Sequence, residues 1–248
     1  MAGHSKWANI KHRKAVVDAR RGKLFTKLSK EIIVAARLGG GDPDANTRLR
    51  MAIQNARAVS MSNDTIKRAI QRGTGEIEGA TYEELTFEGY GPGGVAIIIE
   101  CTTDNRNRTV ADVRAAFAKC DGNLGETNSV AWNFVRRGRC VLEGLLEGDA
   151  LVELGLELGA DDVQDSDEGP VLLCSPDELG RVLGQAAVRG VGVRSSGFVW
   201  EPKTFANVEE EHNVRKLLKL LDILEDHDDV QHVYNNAQIS DQLVDAVS

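Results

Sequence analysis

At about Tyr82 the hydrophobic pattern of this 248-residue chain changes period, and that change limits the folds open to it. Before it, apolar residues recur at helical spacings of three and four. After it, alternating and continuous apolar runs are interleaved with helical ones. Leu24, Leu28, Ile32 and Ala35 lie on one stripe of a helix expected from about Val16 to Leu38. Gly39-Gly40-Gly41 supplies a stop, and Asp42-Pro43-Asp44 offers capping oxygens and a proline suited to the first turn of a second helix. That helix turns Leu49, Ile53 and Ala56 inward. A third is expected to begin near Ser62-Asn63-Asp64, to place Ile66 and Ile70 one turn apart, and to end at Gly73. The preceding arm, residues 1–15, holds too few apolar positions to join a core.

Beyond Tyr82, Leu85 and Phe87 alternate before a glycine-rich turn, Gly89-Tyr90-Gly91-Pro92-Gly93-Gly94, and the apolar run Val95 to Cys101, the pattern of a hairpin. A polar loop, Thr102 to Thr109, then leads into a helix containing Val110, Val113, Ala116 and Phe117. Residues 139–200 are the most regular stretch. Cys140-Val141-Leu142 reads as a strand, and Asp149 caps a helix with Leu151, Leu154 and Leu158. Strands fit Asp162 to Asp165 and Val171 to Cys174. Ser175-Pro176-Asp177-Glu178 reads as a capping box opening a helix through Leu179, Val182, Leu183 and Ala186, and a last strand fits within Val191 to Trp200. The order β-α-β-β-α-β is the signature of a ferredoxin-like sandwich.

A helix marked by Val214, Leu217, Leu218, Leu221 and Leu224 and a strand from Val230 to Tyr234 are left over, and they can complete the β-β-α unit at 82–121. The expected class is therefore α+β with three domains. Residues 1–80 form a helical unit, 81–130 and 205–240 a discontinuous α/β domain, and 131–204 an inserted ferredoxin-like acidic domain, with a tail at 241–248.

The net charge of −8 conceals a division along the chain. Residues 1–75 hold 16 Lys and Arg against 5 Asp and Glu, a balance of +11, and the remainder carries −19. Arg20, Lys23, Lys27, Lys30 and Arg37 follow the helical period on a face apart from the apolar stripe. Cations so spaced can track phosphates and gain affinity by releasing condensed counterions. A solvated helix face explains most charge runs, but such a face mixes both signs, and only Asp18 interrupts residues 1–30. Trp7 can stack on an exposed base or pin the arm against the helices. Between Arg139 and Arg181 there are 12 acidic residues and no basic one, a surface that repels phosphate and suits basic protein.

Other constellations are weaker. Gly89, Gly91 and Gly94 satisfy G-x-G-x-x-G, but Pro92 intrudes and a strand follows where a dinucleotide site needs a helix. Asn105, Arg106 and Arg108 precede a helix N-terminus and are candidate anion contacts, with a capping loop as the plainer reading. The acidic clusters at 161–168 and 225–229 lack the order of a calcium loop and read as solvated turns. Four cysteines without close pairing read as buried hydrophobes in a reducing compartment. No catalytic motif, cofactor signature or small-molecule site is visible. No run is apolar enough to span a membrane, so a cytoplasmic protein is expected.

The strings Ala2-Gly3-His4-Ser5-Lys6-Trp7-Ala8-Asn9-Ile10-Lys11-His12, Gly39-Gly40-Gly41-Asp42-Pro43, Glu88-Gly89-Tyr90-Gly91-Pro92-Gly93-Gly94, Thr103-Asp104-Asn105-Arg106-Asn107-Arg108 and Asp228-Asp229-Val230-Gln231 closely resemble the YebC family. The resemblance implies a helical N-terminal domain and two α/β domains, the third inserted in the second. It also implies a non-enzymatic, DNA-binding transcriptional regulator. Related members, including the mitochondrial translational activator of cytochrome c oxidase, imply an alternative: a ribosome-associated factor that binds ribosomal RNA and assists synthesis of proline-rich stretches. Carried over by position, the resemblance implicates the Gly3 to Lys14 arm and the following basic helix. The candidate contacts are thus Lys6, Trp7, Lys11, His12, Arg13, Lys14, Arg20, Arg21, Lys23, Lys27, Lys30 and Arg37. A dimer with symmetric half-sites would suit duplex DNA, although no helix-turn-helix pattern is evident.

Overall fold

In a computed structural model the residues described are 17–144, 146–166 and 168–247, with the side chains of 17–21, 245 and 247 outside the description. Lys6, Trp7, Lys11, His12, Arg13 and Lys14 lie outside it altogether. Three helices come first: α1 (Val17–Gly39), α2 (Thr47–Ala58) and α3 (Asn63–Thr74). Ile32 and Ala35 of the expected α1 stripe are fully buried, whereas Leu24 is half-exposed. The cap of α2 is Asn46, not the Asp42-Pro43-Asp44 segment. The Asn46 Oδ1 accepts from Leu49 N at 3.0 Å, while its amide donates to Ala35 O and Gly40 O, both at 2.8 Å. One buried side chain therefore closes α1 and opens α2, which an aspartate with no donor cannot do. Ser62 caps α3, and Gly75, at φ +83°, ends it two residues beyond the expected stop.

The chain then divides into two compact units. The first comprises residues 17–27, 80–135 and 200–247. It contains β1 (Glu83–Gly91), β2 (Val95–Thr103), α4 (Arg106–Lys119) and β3 (Asn123–Leu124). After the second unit's segment come β8 (Ala206–Asn207), α7 (Glu211–Asp226), β9 (Val230–Asn235), β10 (Ala237–Gln238) and α8 (Asp241–Val247). The sheet runs β3-β1-β2-β9, with every pairing antiparallel. Residues 230–235 thus complete a sheet begun at 83. Alternate β2 residues Val95, Ile97, Ile99 and Cys101 pack against Val113 and Phe117 of α4 and Leu217, Leu220 and Leu224 of α7. Each large side chain buried there stabilises the unit by roughly 1.5–3 kcal/mol. A Cβ on Gly89 would lie 2.7 Å from both Asn123 O and the Phe117 ring, so the glycine-rich string serves close strand packing.

The second unit comprises Leu28–Gly79 and Arg136–Val199. Its strands and helices are β4 (Phe134–Leu142), α5 (Gly148–Leu158), β5 (Asp162–Gln164), β6 (Val171–Cys174), α6 (Leu179–Val188) and β7 (Val193–Pro202). The sheet order β5-β6-β4-β7 puts the first and third strands at the centre, the ferredoxin-like arrangement. Two caps differ from expectation. Glu147 occupies the N-cap of α5, with Asp149 inside its first turn. Ser175-Pro176-Asp177-Glu178 forms a 3-10 turn before α6, in which Ser175 makes no capping bond; its hydroxyl donates to Asp161 instead. Met51 of α2 joins the core of this sheet. The Asn55 amide pairs with the β7 backbone, donating to Ser196 O at 2.9 Å and accepting from Ser196 N at 3.1 Å.

Candidate nucleic-acid interface

The cations of α1 divide by what holds them. Lys23 Nζ lies 2.6 Å from Asp226 Oδ1 and donates to Asp226 O at 3.0 Å, and Lys27 Nζ donates to Glu225 O at 2.8 Å. These carbonyls end α7, where the last turn lacks helical donors and the macrodipole is negative, so two ammonium groups cap that terminus. Lys30 is buried at 7% exposure. Arg37 stands exposed in the last turn, and Arg20 and Arg21 belong to the first. Arg48 of α2 pairs with Glu31 of α1 at 2.8 and 3.1 Å.

A different helix presents exposed charge. On α3, Ile66 and Ala69 face inward while Lys67, Arg68 and Arg72 are exposed, and no carboxylate among the described residues pairs with any of the three. From Lys67 to Arg72 the helix axis advances about 7.5 Å, two steps at the roughly 3.4 Å per phosphate of one DNA strand. Arg57, exposed in the last turn of α2, adds a further cation. These four were missed because the cations of residues 48–72 are sparser than those of residues 1–30, and only burial shows which side chains face out.

The candidate anion loop has a structural use. Asn105 is the N-cap of α4, its Oδ1 accepting from Arg108 N at 3.1 Å. The Arg108 guanidinium donates to Asp229 Oδ2 at 2.8 Å and Asp104 Oδ1 at 2.9 Å, bonds that raise its already high pKa. Arg106 remains exposed. Asp229 is buried and also accepts from Thr109 Oγ1 at 2.8 Å and Thr103 Oγ1 at 3.2 Å. The acidic turn at 225–229 is therefore solvated only in part: Asp226 and Asp228 are exposed, and Asp229 is not. Its carboxylates meet Lys23 and Arg108, partners more than a hundred residues away in sequence. His227 Nδ1 accepts from Asp229 N at 3.1 Å, which leaves the ring proton on Nε2, 3.2 Å from Asp112 Oδ2. Both nitrogens are engaged, so this histidine is a positioned turn residue.

The four cysteines are free and buried. Burial pushes the Cys140 thiol up to about 12 and the Cys174 thiol up to about 11, and it also raises Cys120. Among the described residues no group of His, Cys, Asp or Glu is arranged to hold a metal ion, and no helix is long and apolar enough to cross a membrane.

Two family models match the chain: the TACO1/YebC protein N-terminal domain over residues 5–76, and the TACO1/YebC second and third domain over residues 82–237. A Geobacter protein named a probable transcriptional regulatory protein is 50% identical over 244 residues, covering 98% of each chain. A protein of the same name from Idiomarina loihiensis is 51% identical over 245 residues, again covering 98% of each. The crystal structure of a conserved hypothetical protein from Aquifex aeolicus is similar at a TM-score of 0.88 and 45% identity, covering 96% of this chain and 98% of the other. With both models matched in succession and relatives aligned almost end to end, the chain belongs to the TACO1/YebC family.

Proposed function

We propose that this protein is a non-enzymatic, cytoplasmic, nucleic-acid-binding regulator of transcription, whose basic N-terminal helices grip the phosphate backbone of DNA. The exposed cations of α3, Lys67, Arg68 and Arg72, carry this reading, because cations kept out of internal ion pairs in a chain of net charge −8 have a use outside it. Relatives named probable transcriptional regulatory proteins point the same way. The grip comprises Lys67, Arg68, Arg72 and Arg57, with Arg37, Arg20, Arg21 and the arm residues Lys6, Trp7, Lys11, His12, Arg13 and Lys14 as further contacts. Lys23, Lys27 and Lys30 contribute mainly by shaping the helix. Phosphate contacts position such a protein and leave sequence to be read by other groups.

The test is crosslinking in cells followed by sequencing of both the DNA and the RNA recovered. Enrichment of promoter fragments is the expected result. Recovery of ribosomal RNA without DNA would overturn the transcriptional reading in favour of a ribosomal one.

A further inference from the structure

Trp132 is 64% exposed, more than any other aromatic side chain among the described residues, yet the loop that carries it is closely held. Glu88 of β1 is buried, and its carboxylate accepts from three backbone N–H groups, those of Asn128 at 2.7 Å, Val130 at 2.8 Å and Ala131 at 2.7 Å. A carboxylate withdrawn from water is tolerated when it is so bonded. On the other side the backbone N of Lys203 donates to Asn133 O at 2.7 Å, and Asn133 Oδ1 accepts from Thr204 N at 3.1 Å and Thr204 Oγ1 at 2.7 Å. The loop is fixed at both ends before any ligand arrives.

What it presents is specific. Ser129 O accepts from Tyr90 OH at 2.9 Å and from Trp132 Nε1 at 3.0 Å. Both polar edges meet at one atom, so the two rings are neighbours, and each has spent its only side-chain donor inside the protein. Ring faces and apolar edges are what remain for solvent. Lys203 Nζ donates to Trp132 O at 2.8 Å, which places an exposed cation at the base of the indole.

We propose that Trp132, flanked by Tyr90, is a stacking platform for an unpaired nucleobase, with Lys203 beside it for the adjoining phosphate. This rests on the nucleic-acid reading above and deepens it. A held ring with no donor to offer selects for stacking, and every base has a π-face, so the site is indifferent to sequence. Bases inside a duplex are covered on both faces. The platform therefore takes a single strand, a loop or a base turned out of the helix.

The test is a titration of the full-length protein against a short labelled single strand and against the matching duplex at one salt concentration. Trp132→Ala is expected to weaken single-strand binding roughly 5- to 150-fold and to change duplex binding by less than about twofold. Trp132→Phe, which keeps a ring but loses Nε1, recovers most of the difference, and an unchanged melting temperature shows that the exposed position does not act through folding. Equal losses on both probes, or none on either, overturn the platform while leaving the nucleic-acid reading standing. A Trp132 dependence confined to a protein partner in crosslinking overturns it as well. Wild-type protein that binds neither probe overturns the nucleic-acid reading, and the platform with it.

Discussion

Helices α1 and α3 both carry cations at helical spacing, and the two use them differently. In α1, Lys23 and Lys27 are bound to the last carbonyls of α7 and Lys30 is buried, whereas in α3, Lys67, Arg68 and Arg72 stand in solvent. Charge density along a chain therefore does not identify an interface. A helix C-terminus within the same protein attracts lysine for the same reason that a phosphate does. The denser cluster in sequence is partly committed to the fold, and the sparser one is what a ligand can reach.

The largest effect that separates the two is expected on α3. Reversing Lys67, Arg68 and Arg72 to Glu should weaken DNA binding at least about 100-fold and lower the slope of log affinity against log salt by about 2.7, at 0.9 per phosphate contact. Folding, followed by circular dichroism, should be little changed. An unaltered slope in salt titrations would return the interface to α1 and the arm.

Next is the turn behind the helix end that Lys23 and Lys27 hold. Asp229→Ala removes the buried acceptor shared by Thr103, Thr109 and Arg108 and should cost about 2 kcal/mol in urea denaturation. Lys27→Met removes one cation from a partly exposed helix terminus and should cost only about 0.5 kcal/mol, with the salt slope of binding unchanged. A large loss of affinity without loss of stability would show that α1 meets the ligand directly.

The smallest signal sharpens the same contrast between inward and outward groups. With the Cys140 and Cys174 thiols raised from 9.0 to about 12 and about 11, the unfolded chain ionises first as pH rises. Their contribution is fully present below pH 9 and is lost as pH climbs towards 12. Denaturation midpoints should fall across that window, and thiol reagents at pH 8 should label these cysteines only after unfolding.

Much of the fold was legible, because burial imposes periods. The 3.6-residue period of Val214, Leu217, Leu221 and Leu224 and the short apolar run Val171 to Cys174 specify α7 and β6 closely. Capping was less legible, since Asp42, Asp44 and Asn46 all offer an oxygen and only the last also donates to Ala35 O and Gly40 O. Least legible were the polar networks. Asp229 reads as solvated because the partners that desolvate it, Thr103, Arg108 and Thr109, lie 120 or more residues earlier. Glu88 opens the glycine-rich string, yet nothing there reveals its role, since it spends its charge on backbone N–H groups, which every residue type but proline supplies.

The lysine bridge from α1 to α7 also has a consequence in time. Lys23 and Lys27 are separated from their acceptors by 203 and 198 residues. A ribosome adding about 5 to 20 residues per second needs roughly 10 to 40 s to cover that distance. Throughout that interval the two lysines are without these acceptors, and the acidic stretch between Arg139 and Arg181 has offset the positive charge of the growing chain before the end of α7 is made, so this bridge closes late in synthesis.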